Sequence, residues 1–233
     1  MRVDLFTIFP GIFESPLRES LLGRAITAGL VDLRLHDVRD FATDCHRTVD
    51  DESFGGGPGM VMKPEPLFAS VESLGAQRGR VILMSPSGRR LDRDLVRELS
   101  GERHLTLLCG RYEGVDERVV QGLPAEEISI GDYVLSGGEL PALVLIEAVT
   151  RLLPGVIGRA ESHERDSFED GLLDHPHYTR PAEFRGMEVP DVLRSGDHAA
   201  IDRWRRDAAL AKTRRNRPDL LEGGPPPGPF AGR

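Results

Sequence analysis

Ser129-Ile-Gly-Asp-Tyr-Val-Leu-Ser-Gly-Gly-Glu-Leu-Pro141 is the stretch on which the fold turns. A strand-like entry, Glu127 to Ile130, leads into it. Glycines stand at 131, 137 and 138, and Pro141 to Leu153 reads as a helix. Glycine beside a helix start lets backbone approach a ligand closely and leaves unpaired N–H groups facing it. A plain strand-to-helix turn uses the same residue, so the neighbouring segments have to separate the two.

Working outward, the same grammar repeats. Val3 to Phe9 is an apolar, β-prone run, and Ser15-Pro16 opens a helix carrying Leu17, Leu21, Leu22, Ala25 and Ile26. Val31, Leu33 and Leu35 alternate with polar residues as a strand does. Pro64 to Leu74 reads as a helix and Arg80 to Met84 as a strand ending in the turn Ser85–Gly88. Asp92 caps a short helix. Leu105 to Cys109 is apolar but for Thr106, the pattern of a parallel strand covered on both faces, and it ends in Gly110-Arg-Tyr-Glu-Gly114. These alternations predict an α/β fold with a mostly parallel sheet. Three glycine turns then fall at strand ends, where open α/β sheets bind ligands. No G-x-G-x-x-G follows the first strand, and Phe54–Gly59, the glycine-rich part of a long irregular section expected from about Asp40 to Met62, lacks the Lys-Ser/Thr ending of a P-loop. An ordinary dinucleotide domain and a nucleoside-triphosphate site are both disfavoured.

Composition bounds the rest. The chain has 233 residues, 39% hydrophobic and 29% charged, which suits a folded core and polar surface. No run is long enough to span a membrane, and two cysteines, Cys45 and Cys109, do not make a disulfide framework, so a cytoplasmic location is expected. Net charge is −8, but Arg203, Arg205, Arg206, Lys212, Arg214, Arg215 and Arg217 cluster near the C-terminus. They accompany a helix on which Ile201, Trp204, Ala208 and Ala211 are expected to share the inner face. The division expected is a larger α/β domain over 1–158, a mobile linker over 159–171, a helical module over 172–222 and a disordered tail over 223–233. The helix from Pro141 is apolar around most of its circumference, which suggests a homodimer interface.

With these residues laid out, the chain resembles the bacterial tRNA (guanine-N1)-methyltransferases, members of the SPOUT group of knotted methyltransferases. The resemblance rests on Gly55-Gly-Gly-Pro-Gly-Met60, Leu108-Cys-Gly-Arg-Tyr-Glu-Gly114, Ile130–Pro141, Asp166-Ser-Phe, Pro176-His-Tyr-Thr-Arg-Pro181 and Gly186-Met-Glu-Val-Pro190. It runs from Phe6 to Leu221. It implies a deep trefoil knot, a small all-α C-terminal domain, S-adenosyl-L-methionine as cofactor, magnesium, and a homodimer whose active site is shared between subunits. The implied reaction is methylation of N1 of guanosine 37 in tRNA, with the anticodon arm bound by the C-terminal module.

The resemblance also implies roles. Asp166 matches the general base that removes the N1 proton, and Arg151 the guanidinium that stabilises charge on O6. Cofactor-binding positions are Met84, Ser85, Pro86, Gly110, Tyr112, Glu113, Ile130, Gly131, Asp132, Tyr133, Val134, Leu135, Gly137 and Gly138. Asp50, Pro58 and Gly59 match the loop that meets the target guanosine, and Arg203, Arg206, Lys212, Arg214 and Arg215 would meet phosphates. Glu113 is a candidate magnesium ligand. Leu83 stands where many relatives have tyrosine. A binder without catalysis would need neither Asp166 nor Arg151.

Overall fold

The computed structural model describes residues 1–157 and 166–221. The chain divides into two units, Met1–Gly158 and Arg159–Arg233. The expected tail and residues 159–165 of the expected linker lie outside the described residues.

The first unit is mixed α/β around a five-stranded parallel sheet in the order β2-β1-β6-β5-β7. Its strands are β1 (Arg2–Thr7), β2 (Asp32–Asp37), β5 (Arg80–Arg90), β6 (His104–Cys109) and β7 (Ala125–Ser129). Between β2 and β5 lies a small antiparallel pair, β3 (Asp50–Glu52) and β4 (Met60–Met62). Five helices complete the unit: α1 (Ser20–Thr27), α2 (Pro64–Glu72), α3 (Arg93–Ser100), α4 (Glu117–Gly122) and α5 (Glu139–Arg151).

Period-two alternation explains how the apolar strands feed two cores. Leu105, Leu107 and Cys109 of β6 pack with Val3, Leu5, Leu95, Leu99 and the inner face of α5. Leu108 points the other way, with Phe6, Leu67, Val71 and Val119. Truncating a fully buried leucine such as Leu107 to alanine costs about 2–5 kcal/mol. One buried charge interrupts this pattern. Asp4 is bonded by Arg2 Nε (2.6 Å) and faces His36 Nε2 (2.6 Å) and His104 Nε2 (2.7 Å), which fastens three neighbouring strands. Burial would raise its pKa, but the bonds from Arg2, His36 and His104 prevail and hold it below the usual carboxylate value.

Four expectations need correction. Pro16 opens a 3-10 turn, Pro16–Arg18, and the α-helix begins only at Ser20. Ser85–Gly88 is not a turn that ends a strand. It is an irregularity inside β5, which resumes pairing with β7 at Arg89. The long section after Asp40 is not structureless, since it contains β3 and β4. Finally, α5 begins at Glu139, two residues before the proline, because proline is tolerated in a helix's first turn.

The second unit contains α6 (Asp191–Arg194), α7 (His198–Asn216) and a two-residue hairpin, β8 (Glu183–Phe184) with β9 (Met187–Glu188). Helices are its longest elements, but with the hairpin it is not all-α among the described residues. Asp197 caps α7 through Ala200 N at 3.0 Å. Of the expected inner face of α7, Ile201 is buried and Trp204 and Ala208 are half-buried, but Ala211 is exposed and the other fully buried positions are Ala209 and Thr213. Trp204 is half-buried, 6.2 Å from Tyr178 and 6.4 Å from His175 between ring centroids.

Candidate active site

The irregularity in the middle of β5 and the C-terminal ends of β6 and β7 open onto a cavity of about 290 Å3. Of the residues the resemblance assigns to a cofactor, Met84, Ser85 and Pro86 line it from β5. Gly110, Tyr112 and Glu113 line it from the turn after β6, and Ile130, Gly131, Tyr133, Val134, Leu135, Gly137 and Gly138 from the loop after β7. Asp132 does not reach the lining. Leu83 lines the cavity and is almost wholly buried.

Backbone packing sets the shape of the walls. Gly138 N donates to Gly110 O at 2.8 Å, and Arg111 bridges Gly137 in antiparallel fashion. A Cβ at Gly138 would stand 2.8 Å from Cys109 Cα and 3.0 Å from Gly110 N. Its φ is −79°, so glycine is required here by closeness, not by backbone conformation.

Charge is arranged unevenly around this cavity. Among the described residues its acidic side chains are Glu113, Glu117 and Glu127 and its one cation is Arg111, which is engaged. Arg111 Nε donates to Glu139 Oε2 at 2.9 Å, and Thr7 Oγ1 donates to Glu139 Oε1 at 2.8 Å. Such a lining suits a neutral or cationic ligand and not a phosphate. Arg111, Glu139 and Thr7 were missed in the sequence. They are 28 and 132 positions apart, and no local pattern signals their meeting.

The small hairpin reaches the same loops. Glu113 N donates to Met60 O at 3.0 Å and Met62 N to Gly114 O at 2.9 Å. Gly59, at φ +86°, lies so close to Glu113 that a Cβ would be 2.8 Å from its Cδ. Asp50 hydrogen-bonds the Tyr112 phenol; burial, then the Asp50 carboxylate, raises that phenol's pKa. The expected substrate residues Asp50 and Gly59 therefore adjoin the expected cofactor residues Tyr112 and Glu113. Pro58 lies exposed in the same loop.

A match to the family model described as tRNA (Guanine-1)-methyltransferase TrmD covers residues 1–223. The chain belongs to the TrmD family. Curated relatives agree, each carrying the name tRNA (guanine-N(1)-)-methyltransferase. That of Geobacter sulfurreducens is 58% identical over 223 residues, covering 95% of this chain and 91% of the relative. Those of Geobacter metallireducens and Cyanothece sp. are 56% and 57% identical over 224 residues, covering 95% of this chain and 91% and 93% of theirs.

Two TrmD-family residues expected to act in chemistry sit in different units. Arg151 is the exposed last residue of α5. Asp166 belongs to the second unit, where residues 166–171 form a hydrogen-bonded turn. Glu169 N donates to Asp166 O at 3.2 Å, Phe168 N to Leu172 O at 2.7 Å and Asp174 N to Ser167 Oγ at 2.9 Å. Leu173 N donates to buried Thr213 Oγ1 at 2.9 Å, and the Arg217 guanidinium lies over the Phe168 ring. Asp166 thus rides on a turn fastened to α7 rather than on a bare linker.

On α7 itself, Arg203, Arg206, Arg214 and Arg215 are exposed. Lys212 is not, because its Nζ donates to Asp174 O at 3.0 Å. It anchors the Asp166-bearing segment instead of facing outward. Among the described residues, Glu113 belongs to no group of three clustered metal-capable side chains, and no helix is long and apolar enough to cross a membrane.

Proposed function

We propose that this protein transfers a methyl group from S-adenosyl-L-methionine to N1 of guanosine 37 of tRNA, beside the anticodon. The observation that carries this reading is the glycine-walled, acid-lined cavity at the irregularity in β5 and the ends of β6 and β7 in a TrmD-family chain. Its lining offers main-chain polar groups and apolar side chains such as Ile130 and Leu135 for a nucleoside, and carboxylates in place of phosphate-binding cations. That suits a ligand bearing a cationic sulfonium and an ammonium group. We further propose that the three loops are threaded as a trefoil knot, supported by the close crossing of Gly138 on Cys109 and Gly110.

When bound, S-adenosylmethionine supplies the electrophilic methyl group. The protein's own task is to make guanine N1 a nucleophile. N1 carries a proton at neutral pH, so a carboxylate must remove it, and Asp166 is assigned that step. Proton loss leaves charge on O6, which the Arg151 guanidinium would stabilise. Asp50, Pro58 and Gly59 would hold the guanosine, while Arg203, Arg206, Arg214 and Arg215 would meet phosphates of the anticodon arm, positioning without reading sequence. Magnesium, which accepts one or two carboxylates and otherwise keeps its waters, would be held by Glu113.

The protein is proposed to act as a homodimer with an active site shared between subunits. On α5, Leu140 and Val144 are about half exposed while Ala142, Leu145, Ile146 and Val149 are buried, an apolar ridge that a second copy would cover. The test is labelled methyl uptake by a tRNA transcript with guanosine at positions 36 and 37. Uptake is expected, and none when guanosine 37 is replaced by adenosine. No uptake by either transcript, with cofactor binding intact, overturns the reading.

A further inference from the structure

Asp174-His-Pro-His177 lies in the second unit, directly after the turn that carries Asp166. One ligand atom from each of Asp174, His175 and His177 falls within 4.8 Å of the other two. His177 Nε2 is 2.6 Å from Asp174 Oδ2, and His175 Nε2 is 3.8 Å from Asp174 Oδ1. The intervening proline fixes its own φ, which limits how far the two imidazoles can separate.

A second observation shows which ring atoms are available. His175 Nδ1 faces the carbonyl oxygen of Pro176 at 3.1 Å. A carbonyl only accepts, so Nδ1 carries a proton, and in the neutral ring it is Nε2, which faces Asp174 Oδ1 at 3.8 Å, that is left to bind an ion. An imidazole held by a carbonyl at one nitrogen and free at the other is the usual outer-shell arrangement of a metal-bound histidine. The Asp174 carboxylate is also kept in place, since Oδ1 accepts from His175 N at 2.7 Å. The nearby ammonium of Lys212 is directed to Asp174's main-chain carbonyl, not to its carboxylate.

We propose that Asp174, His175 and His177 form a three-ligand site for a borderline divalent cation of the Zn2+ class. Two imidazoles and one carboxylate favour Zn2+, Co2+ or Ni2+ over Mg2+, which prefers oxygen ligands. A tetrahedral ion needs its donors about 3.3 Å apart, given metal–nitrogen bonds of about 2.0–2.1 Å. His177 Nε2 is nearer than that to Asp174 Oδ2, at 2.6 Å, and His175 Nε2 is farther from Oδ1, at 3.8 Å, so the ion is received by an outward rotation of His177, whose side chain is 70% exposed, and a small inward one of His175, with release of the proton shared by His177 and the carboxylate. Solvent supplies the fourth position. The ion's effect is structural: it clips residues 174–177 to one another, beside the attachment of Ser167 to Asp174. The site is independent of the methyl-transfer reading and distinct from the magnesium assigned to Glu113.

The test uses the full chain without an affinity tag and with exposed Cys45 replaced by serine, so that no other thiol or histidine tract competes. Calorimetric titration with Zn2+ is expected to show one site per chain of micromolar or tighter affinity, undisturbed by millimolar Mg2+. His177→Asn and, separately, His175→Gln should each weaken it by about ten-fold or more. Because His175 packs near Trp204, the exposed His177 variant keeps the test valid if His175→Gln fails to fold. Co2+ should give the visible absorption of a four-coordinate ion in the parent and lose it in His177→Asn. Zn2+ affinity unchanged in His177→Asn, or no saturable binding in the parent, overturns the proposal.

Discussion

Arg111 and Glu139 form an ion pair across one wall of the cavity, Nε to Oε2 at 2.9 Å, with the carboxylate almost wholly buried. The pair joins the turn after β6 to the first turn of α5, and Thr7 supplies the carboxylate's second bond. Removing one partner of such a pair strands the other charge away from water. Arg111→Ala should therefore destabilise the fold by about 3–5 kcal/mol, measured by urea unfolding. Glu139→Gln keeps the shape and can still accept from Thr7, and is expected to cost less.

Gly138→Ala tests the cavity wall. The backbone there is already compatible with alanine, so any effect comes from the methyl group pressing on Cys109 and Gly110. S-adenosylmethionine affinity should fall about ten-fold or more by calorimetry, and the urea midpoint should fall too, by the equivalent of about 1–3 kcal/mol, because the methyl group meets backbone that must shift. Unchanged affinity would remove this wall from the binding site.

Asp166→Asn and Arg151→Ala separate chemistry from binding. Both should leave cofactor affinity unchanged. Asp166→Asn should lower single-turnover methyl transfer by about 100-fold or more, the usual size of a general-base contribution. Turnover near wild type in Asp166→Asn would mean that another group takes the N1 proton.

Asp4 makes stability depend on pH in a defined direction. Its folded pKa is depressed below 3.8, so the unfolded chain takes up the proton first as pH falls. The contribution of the Arg2, His36 and His104 bonds is fully present above that value and disappears as pH drops through the folded pKa. Urea midpoints should fall across this acid range in wild type, and more shallowly in Asp4→Asn, which starts from a lower value at neutral pH.

How much of this was legible depended on whether the signal was local. The run Leu105–Cys109 announced a strand covered on both faces because it is apolar on both sides apart from Thr106, and the glycines after β6 and β7 marked the close crossing. The β3–β4 pair left no such mark, since Asp50–Glu52 and Met60–Met62 are too short for period-two alternation to register. Ser85–Gly88 has the composition of a turn, but tertiary pairing with β7 carries the strand through it. On α7, small side chains gave a weak stripe, and the buried face was decided by Thr213, whose hydroxyl serves Leu173 N. Arg111 and Glu139 stand in stretches the sequence singles out, but their pairing exists only once the fold brings them together.

The most direct measurement of the central claim is the identity of the methylated nucleoside. A tRNA transcript treated with the protein and S-adenosylmethionine should be digested to nucleosides and oligonucleotides and analysed by mass spectrometry. The account predicts 1-methylguanosine at position 37 and none elsewhere. A methyl group on another atom of guanine, or at another position of the tRNA, would contradict it.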